Sequence, residues 1–173
     1  MTLPRIRPAR LSDLDDLAVL EVEAGQLFHE VDMSEVASHA ADLEALRRAQ
    51  AQGLIWVAEE AGKVAGYVVA AVLDGDAHIE QVSVAPAYGG RGIGRQLIFH
   101  VEEWGRRDGR QATTLTTFRD VPWNAPYYER LGYRQLSDSE TGSDLSAVMD
   151  HEASLPGIDA SRRCAMIKRN GGG

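Results

Sequence analysis

The stretch Val82-Ser83-Val84-Ala85-Pro86 followed by Tyr88-Gly89-Gly90-Arg91-Gly92-Ile93-Gly94 decides how this chain is read. It runs from a β-rich segment, through a cluster of glycines, into an apolar periodic segment marked by Ile93, Leu97, Val101 and Trp104. Glycines let the backbone turn tightly and approach a ligand, because no Cβ stands in the way. The first amides of the helix that follows have no acceptor within it and lie at the positive end of its dipole. A strand, glycine loop and helix in that order make a backbone site for phosphate or pyrophosphate. Arg91 and Arg95 add positive charge beside it. The loop lacks Gly-Lys-Ser/Thr, which excludes a nucleotide-hydrolysing P-loop. Leu97 stands where a dinucleotide fingerprint needs its third glycine. A plain tight turn without a ligand is the alternative that the loop alone leaves open.

Outward from the loop, the upstream period is two. Leu54–Glu59, Val64–Leu73 and Ala77–Val84 read as strands, joined by turns at Ala61-Gly62-Lys63 and Asp74-Gly75-Asp76, an antiparallel meander. Before it, Arg5–Pro8 is an opening strand. Ser12 is the expected N-cap of a helix whose apolar face is Leu14, Leu17, Leu20, Ala24, Leu27 and Phe28. A second helix is expected from Ser34 to about Gln52, closed by Gly53. Downstream come a strand at Thr113–Phe118, a short helix at Ala125–Leu131 between Pro126 and Gly132, and last strands at Tyr133–Leu136 and Arg163–Lys168. The expected fold is a single α/β domain over residues 1–170, a mixed sheet flanked by helices. Gly171–Gly173 is expected to be a disordered tail.

The chain has 173 residues, enough for one core without disulfides or metals. Its one cysteine, Cys164, cannot pair internally or build a cysteine zinc site, and suits a reducing, cytoplasmic location. No apolar run marks a secretory signal or a membrane span. The net charge of −8 argues against a nucleic-acid binder. Asp138, Glu140, Asp144, Asp150, Glu152 and Asp159 account for most of that imbalance, in a stretch with no Lys or Arg. A solvated loop is one reading of this run; a surface that attracts a cationic substrate is the other.

Val82-Ser83-Val84-Ala85-Pro86 and Gly92-Ile93-Gly94 resemble the cofactor motif of the GNAT acetyltransferase superfamily, Gln/Arg-x-x-Gly-x-Gly/Ala after a strand ending in Val-x-Pro. Trp123-Asn124-Ala125-Pro126-Tyr127-Tyr128-Glu129-Arg130-Leu131-Gly132-Tyr133 resembles the family's later aromatic-Tyr-x-x-x-Gly-aromatic element. The resemblance implies a GNAT-like three-layer fold, mostly antiparallel, with acetyl-CoA as acetyl donor and no metal; family members are often homodimers, so a homodimer is one assembly open to this chain. It also implies that the backbone of Val82, Ser83 and Val84 pairs with the pantetheine arm. The amides of Gly89, Gly90, Arg91, Gly92, Ile93, Gly94 and Arg95 then hold the pyrophosphate. Gly89 replaces the family's usual Gln or Arg, which removes a side chain and leaves the backbone mechanism.

By the same resemblance Tyr128 faces the cofactor sulfur, where a phenol can protonate the departing thiolate. The alternative is that Tyr128 packs in the core while Tyr127 faces the site. Asn124 either caps the helix or contacts the cofactor, since Val121 occupies the family's usual asparagine spacing. Glu80 is the candidate base that removes the amine's proton, directly or through water, the alternative being a sheet-edge or ion-paired carboxylate; His78 is read as structural. The backbone near Val84 would polarise the thioester carbonyl. The expected reaction is direct acetyl transfer to a primary amine, a small cationic one on the strength of the acidic run. Phe28, His29 and Met33 are plausible acceptor walls. A protein or peptide amine, or a non-catalytic acyl-CoA sensor, remain the alternatives.

Overall fold

Strand β2, Ile55–Glu60, shows why the chain folds in layers: Ile55, Trp56, Val57 and Ala58 are buried in succession, so both faces of the strand are covered. The computed structural model describes residues 3–26 and 42–171. It contains β1 (Arg5–Pro8), α1 (Leu14–Gly25), α2 (Leu43–Ala51), β2, β3 (Lys63–Leu73), β4 (Asp76–Val84), α3 (Ile93–Arg107) and β5 (Ala112–Phe118). After these come α4 (Ala125–Arg130), β6 (Arg134–Gln135), α5 (Ser143–Ala153) and β7 (Arg163–Arg169). The seven strands form one mixed, mostly antiparallel sheet in the order β1-β2-β3-β4-β5-β7-β6, the expected single-domain α/β fold. Within it the residues cluster into two compact units.

The first unit comprises Met1–Ala71 and Glu80–Val101. β1 and β3 flank β2 antiparallel, with Ile6 opposite Ala58 and Val57 opposite Tyr67. Leu14, Leu17 and Leu20 of α1 and Leu46 and Ala49 of α2 close on one sheet face over Ile55, Val57, Tyr67 and Val69. On the other face the Trp56 ring meets His100 of α3 edge-on at 5.0 Å. Helix α1 is not capped by Ser12. A 3-10 turn at Leu11–Asp13 precedes it, and the carboxylate of buried Asp13 accepts from Arg10 N and from the guanidinium of Arg7. The expected second helix does not run unbroken from Ser34: Asp42 is extended and its side chain caps Leu43–Ala51 by accepting from Glu44 N and Ala45 N. The expected positions 27–41, including Leu27 and the walls Phe28, His29 and Met33, lie outside the described residues.

The second unit comprises Val72–Ile79 and Glu102–Gly173. β5 runs parallel to β4 over Ala77–Ile79 and antiparallel to β7 along its length. Both hairpins use left-handed backbone at two successive positions, Ala61-Gly62 and Asp74-Gly75, as two-residue turns matched to strand twist require. Helix α5 is absent from the sequence reading, in which Ser137 to Ala160 has no regular structure. Its start is held by Asp74, whose carboxylate accepts from Asp144 N at 2.9 Å and Leu145 N at 3.0 Å, while Asp144 returns a bond to Asp74 N. A Cβ on Gly142 would stand 2.3 Å from the Asp74 carboxyl carbon, so this contact needs glycine.

Candidate active site

Strand β4 continues past its parallel register with β5 to Val82–Val84, and Ala85 N then donates to Ala65 O at 2.8 Å. Gly66 lies against this segment: a Cβ there would stand 2.8 Å from the carbonyl oxygen of Ser83. Pro86–Tyr88 makes a 3-10 turn, and Gly89 N is spent on Pro86 O. Gly89 therefore shapes the loop without offering its amide. Gly90 and Gly92 adopt φ of +73° and +77°, with open space where side chains would stand. Gln96 N makes the first helical bond, to Gly92 O, which leaves the amides of Ile93, Gly94 and Arg95 without acceptors inside α3. An open glycine cradle that leads into free helix amides fits an anion.

The two arginines are partly occupied. Arg91 bonds Glu60 at 2.5 Å and lies over the Tyr88 ring, so its charge is compensated locally; Arg95 lies over Phe99. The second oxygen of Glu60 is buried and has no hydrogen-bond partner among the described residues.

Glu80 is exposed at its surface, yet the protein around it raises its carboxyl above the ordinary range, with Arg48 opposing. His78 is buried and bonds Thr114 Oγ1 at 2.9 Å; burial lowers its pKa to about 4, so it is a neutral structural residue at pH 7. Gln81 Nε2 donates to Ser83 Oγ at 2.8 Å, and the Tyr67 hydroxyl donates to Glu21 Oε2 at 2.9 Å. Sequence reasoning misses both bonds. The available signal is Glu21 itself, four residues after Leu17 and seven after Leu14, an acid on the buried stripe of α1.

In the second unit Tyr128 is buried between the rings of Tyr127 and Tyr133, at 5.6 and 5.8 Å, both edge-on. Burial raises its hydroxyl well above the usual phenol value, so it stays protonated at neutral pH. Asn124 occupies the N-cap position of α4, but its side chain makes no capping bond. Cys164 is buried, and burial raises its thiol. The acidic run is largely used locally. Glu140 bonds Arg134 and Ser137, Glu152 pairs with Arg163 and Thr116, and Asp159 caps Ser161. With Asp144 bound to the Asp74 turn, four of its acids serve the fold.

An α/β domain in which a strand feeds an open glycine loop and the N-terminus of a helix is the class that this geometry defines. The chain belongs to the acetyltransferase (GNAT) family, whose family model matches residues 18–133. It is similar to two curated proteins of Bacillus subtilis (strain 168). It is 36% identical to an S-alkylcysteine N-acetyltransferase over 74 residues, 41% of each chain. With an S-(2-succino)cysteine N-acetyltransferase it shares 28% over 148 residues, 80% of this chain and 89% of that one. Among solved structures it resembles the PaiA N-acetyltransferase from Thermoplasma acidophilum in complex with coenzyme A. There the TM-score is 0.69 at 16% identity, over 98% of this chain and 100% of that one. Rv2747 from Mycobacterium tuberculosis, in complex with CoA and NLQ, gives a TM-score of 0.68 at 23% identity, over 96% and 99%. At these identities the structural likeness concerns the fold.

Proposed function

We propose that the protein is an N-acetyltransferase that moves an acetyl group from acetyl-CoA to the primary amine of a small molecule by direct attack. The observation that carries this is the loop: Gly90 and Gly92 in left-handed backbone, open to a ligand, ahead of the free amides of Ile93, Gly94 and Arg95. The backbone of Val82, Ser83 and Val84 pairs with the pantetheine arm, and the amides from Gly90 to Arg95 hold the pyrophosphate. Asn124, whose side chain is not used as a cap, contacts the cofactor. The amine nitrogen attacks the thioester carbon, the backbone near Val84 polarises the carbonyl, the C–S bond breaks as the N–C bond forms, Tyr128 protonates the leaving sulfur, and the proton that the nitrogen sheds on becoming an amide restores the Tyr128 hydroxyl. A buried Cys164 with a raised thiol suits this direct route over a cysteine intermediate. The ammonium must first lose a proton to a carboxylate, for which β4 offers Glu80.

The acceptor reading shifts with the structure. The acidic run that suggested a cationic amine is mostly engaged within the fold, which removes that motive. The two curated relatives are named for cysteine derivatives, which supports the α-amine of an amino-acid derivative. The reaction belongs in the cytoplasm, where acetyl-CoA is available and Cys164 stays reduced. A homodimer is the assembly that the family resemblance favours. Acetyl-CoA consumption across S-substituted cysteines, polyamines, amino sugars and peptide amines tests the reading. Turnover is expected first with amino-acid α-amines; turnover with peptide amines alone would overturn the small-molecule acceptor.

A further inference from the structure

The first unit holds a further carboxylate beside the sheet. Glu21 lies on the sheet-facing stripe of α1, half-buried, and the hydroxyl of fully buried Tyr67 fixes its Oε2 at 2.9 Å. Tyr67 follows Gly66, which lies so close to β4 that a Cβ there would stand 2.8 Å from the carbonyl oxygen of Ser83. Glu21 is thus tied through Tyr67 to the part of β3 that lies against Ser83, the residue between Val82 and Val84. With one oxygen fixed, the other keeps its lone pairs for a ligand.

The surroundings of Glu21 supply no compensating cation among the described residues. From β3 it meets Tyr67. Helix α2, packed on α1, carries Arg47 and Arg48, but Arg47 bonds Glu44 at 3.3 Å and Arg48 acts on Glu80. Burial accordingly raises the Glu21 carboxyl, opposed by the Tyr67 bond. A carboxylate drawn out of water without a cation is costly, and a protonated amine supplies both the charge and the N–H donors it lacks.

We propose that Glu21, in preference to Glu80, receives the acceptor's ammonium and takes its proton, a step that rests on the reading of the protein as an N-acetyltransferase. The N–H bond breaks with its electron pair left on nitrogen, and an O–H bond forms at the free oxygen of Glu21. The neutral amine then attacks the thioester, and Glu21 returns the proton to solvent. Tyr67 keeps its own proton throughout and serves to aim the carboxylate.

The test is the pH profile of kcat/KM for the amine in wild type and Glu21→Gln, whose amide oxygen still accepts from Tyr67. Thermal unfolding is followed in parallel to confirm the fold. The substitution should lower kcat/KM about 100-fold at pH 7, recover activity as pH approaches the amine's own pKa, and leave acetyl-CoA affinity unchanged. Glu21→Asp should retain part of the wild-type rate. Wild-type kcat/KM in Glu21→Gln overturns the proposal, and so does a loss that is equal at every pH. Either result leaves the acetyltransferase reading standing; a wild-type protein that acetylates no amine overturns both.

Discussion

In the proposed reaction Tyr128 carries two demands that its surroundings reconcile. It packs edge-on against Tyr127 and Tyr133 in a buried aromatic group, and burial keeps its hydroxyl protonated far above neutral pH. Aromatic packing fixes the ring, and a protonated phenol is what a departing thiolate needs. Tyr128→Phe keeps the ring contacts and should lower kcat about 100-fold with little change in KM for acetyl-CoA. Steady-state kinetics with the amine saturating reads this directly, and an unchanged kcat removes Tyr128 from the chemistry. Its neighbour Tyr133 is structural. The Tyr133 hydroxyl donates to buried Glu102 at 2.9 Å, which also accepts from Lys168 at 3.1 Å. At this scale the sequence marked Tyr128 and Glu80 through motif and strand parity. It did not reveal Glu60 beneath Arg91 or Tyr67 beneath Glu21, because those partners lie 31 and 46 residues away along the chain.

At the scale of elements, the loop between β4 and α3 is the feature on which the proposed cofactor binding depends. Gly92 at φ +77° admits an L side chain only with strain, although the space there is open. Gly92→Ala should therefore weaken acetyl-CoA binding modestly through roughly 1 kcal/mol of backbone strain. Gly92→Glu adds an anion at the anion site and should abolish binding. Titration calorimetry of both variants separates strain from charge, and retained affinity in Gly92→Glu contradicts the loop assignment. The meander and this loop were legible because their punctuation is local: Ala61-Gly62, Asp74-Gly75 and the glycine cluster each dictate their own backbone. Helix α5 was not. Its buried apolar anchor is Leu145 alone, and its N-terminus is held by Asp74, 70 residues earlier, so neither period nor local cap announces it. The same holds for α2, whose start is fixed by Asp42 within a longer helical-looking stretch.

For the molecule as a whole, buried His78 ties stability to pH. Its folded pKa is about 4 against 6.5 in the unfolded chain, so between those values the unfolded state binds a proton that the native state does not. Stability then rises with pH across that window and is lost as pH falls from about 6.5 to about 4, by up to about 3 kcal/mol. Glu21 and Asp76, raised by burial, act with the opposite sign. His78→Gln should flatten the wild-type dependence over this range in urea unfolding; an equal slope in both proteins removes His78 as the cause. The central claim is that this fold transfers acetyl groups. It is tested most directly by incubating the protein with acetyl-CoA and a cysteine-derived α-amine, then measuring free CoA thiol and N-acetylated product together. The account predicts equal amounts of the two, formed by wild type and not by Gly92→Glu. Acetyl-CoA that binds but yields neither thiol nor acetylated amine across the whole acceptor panel would contradict it.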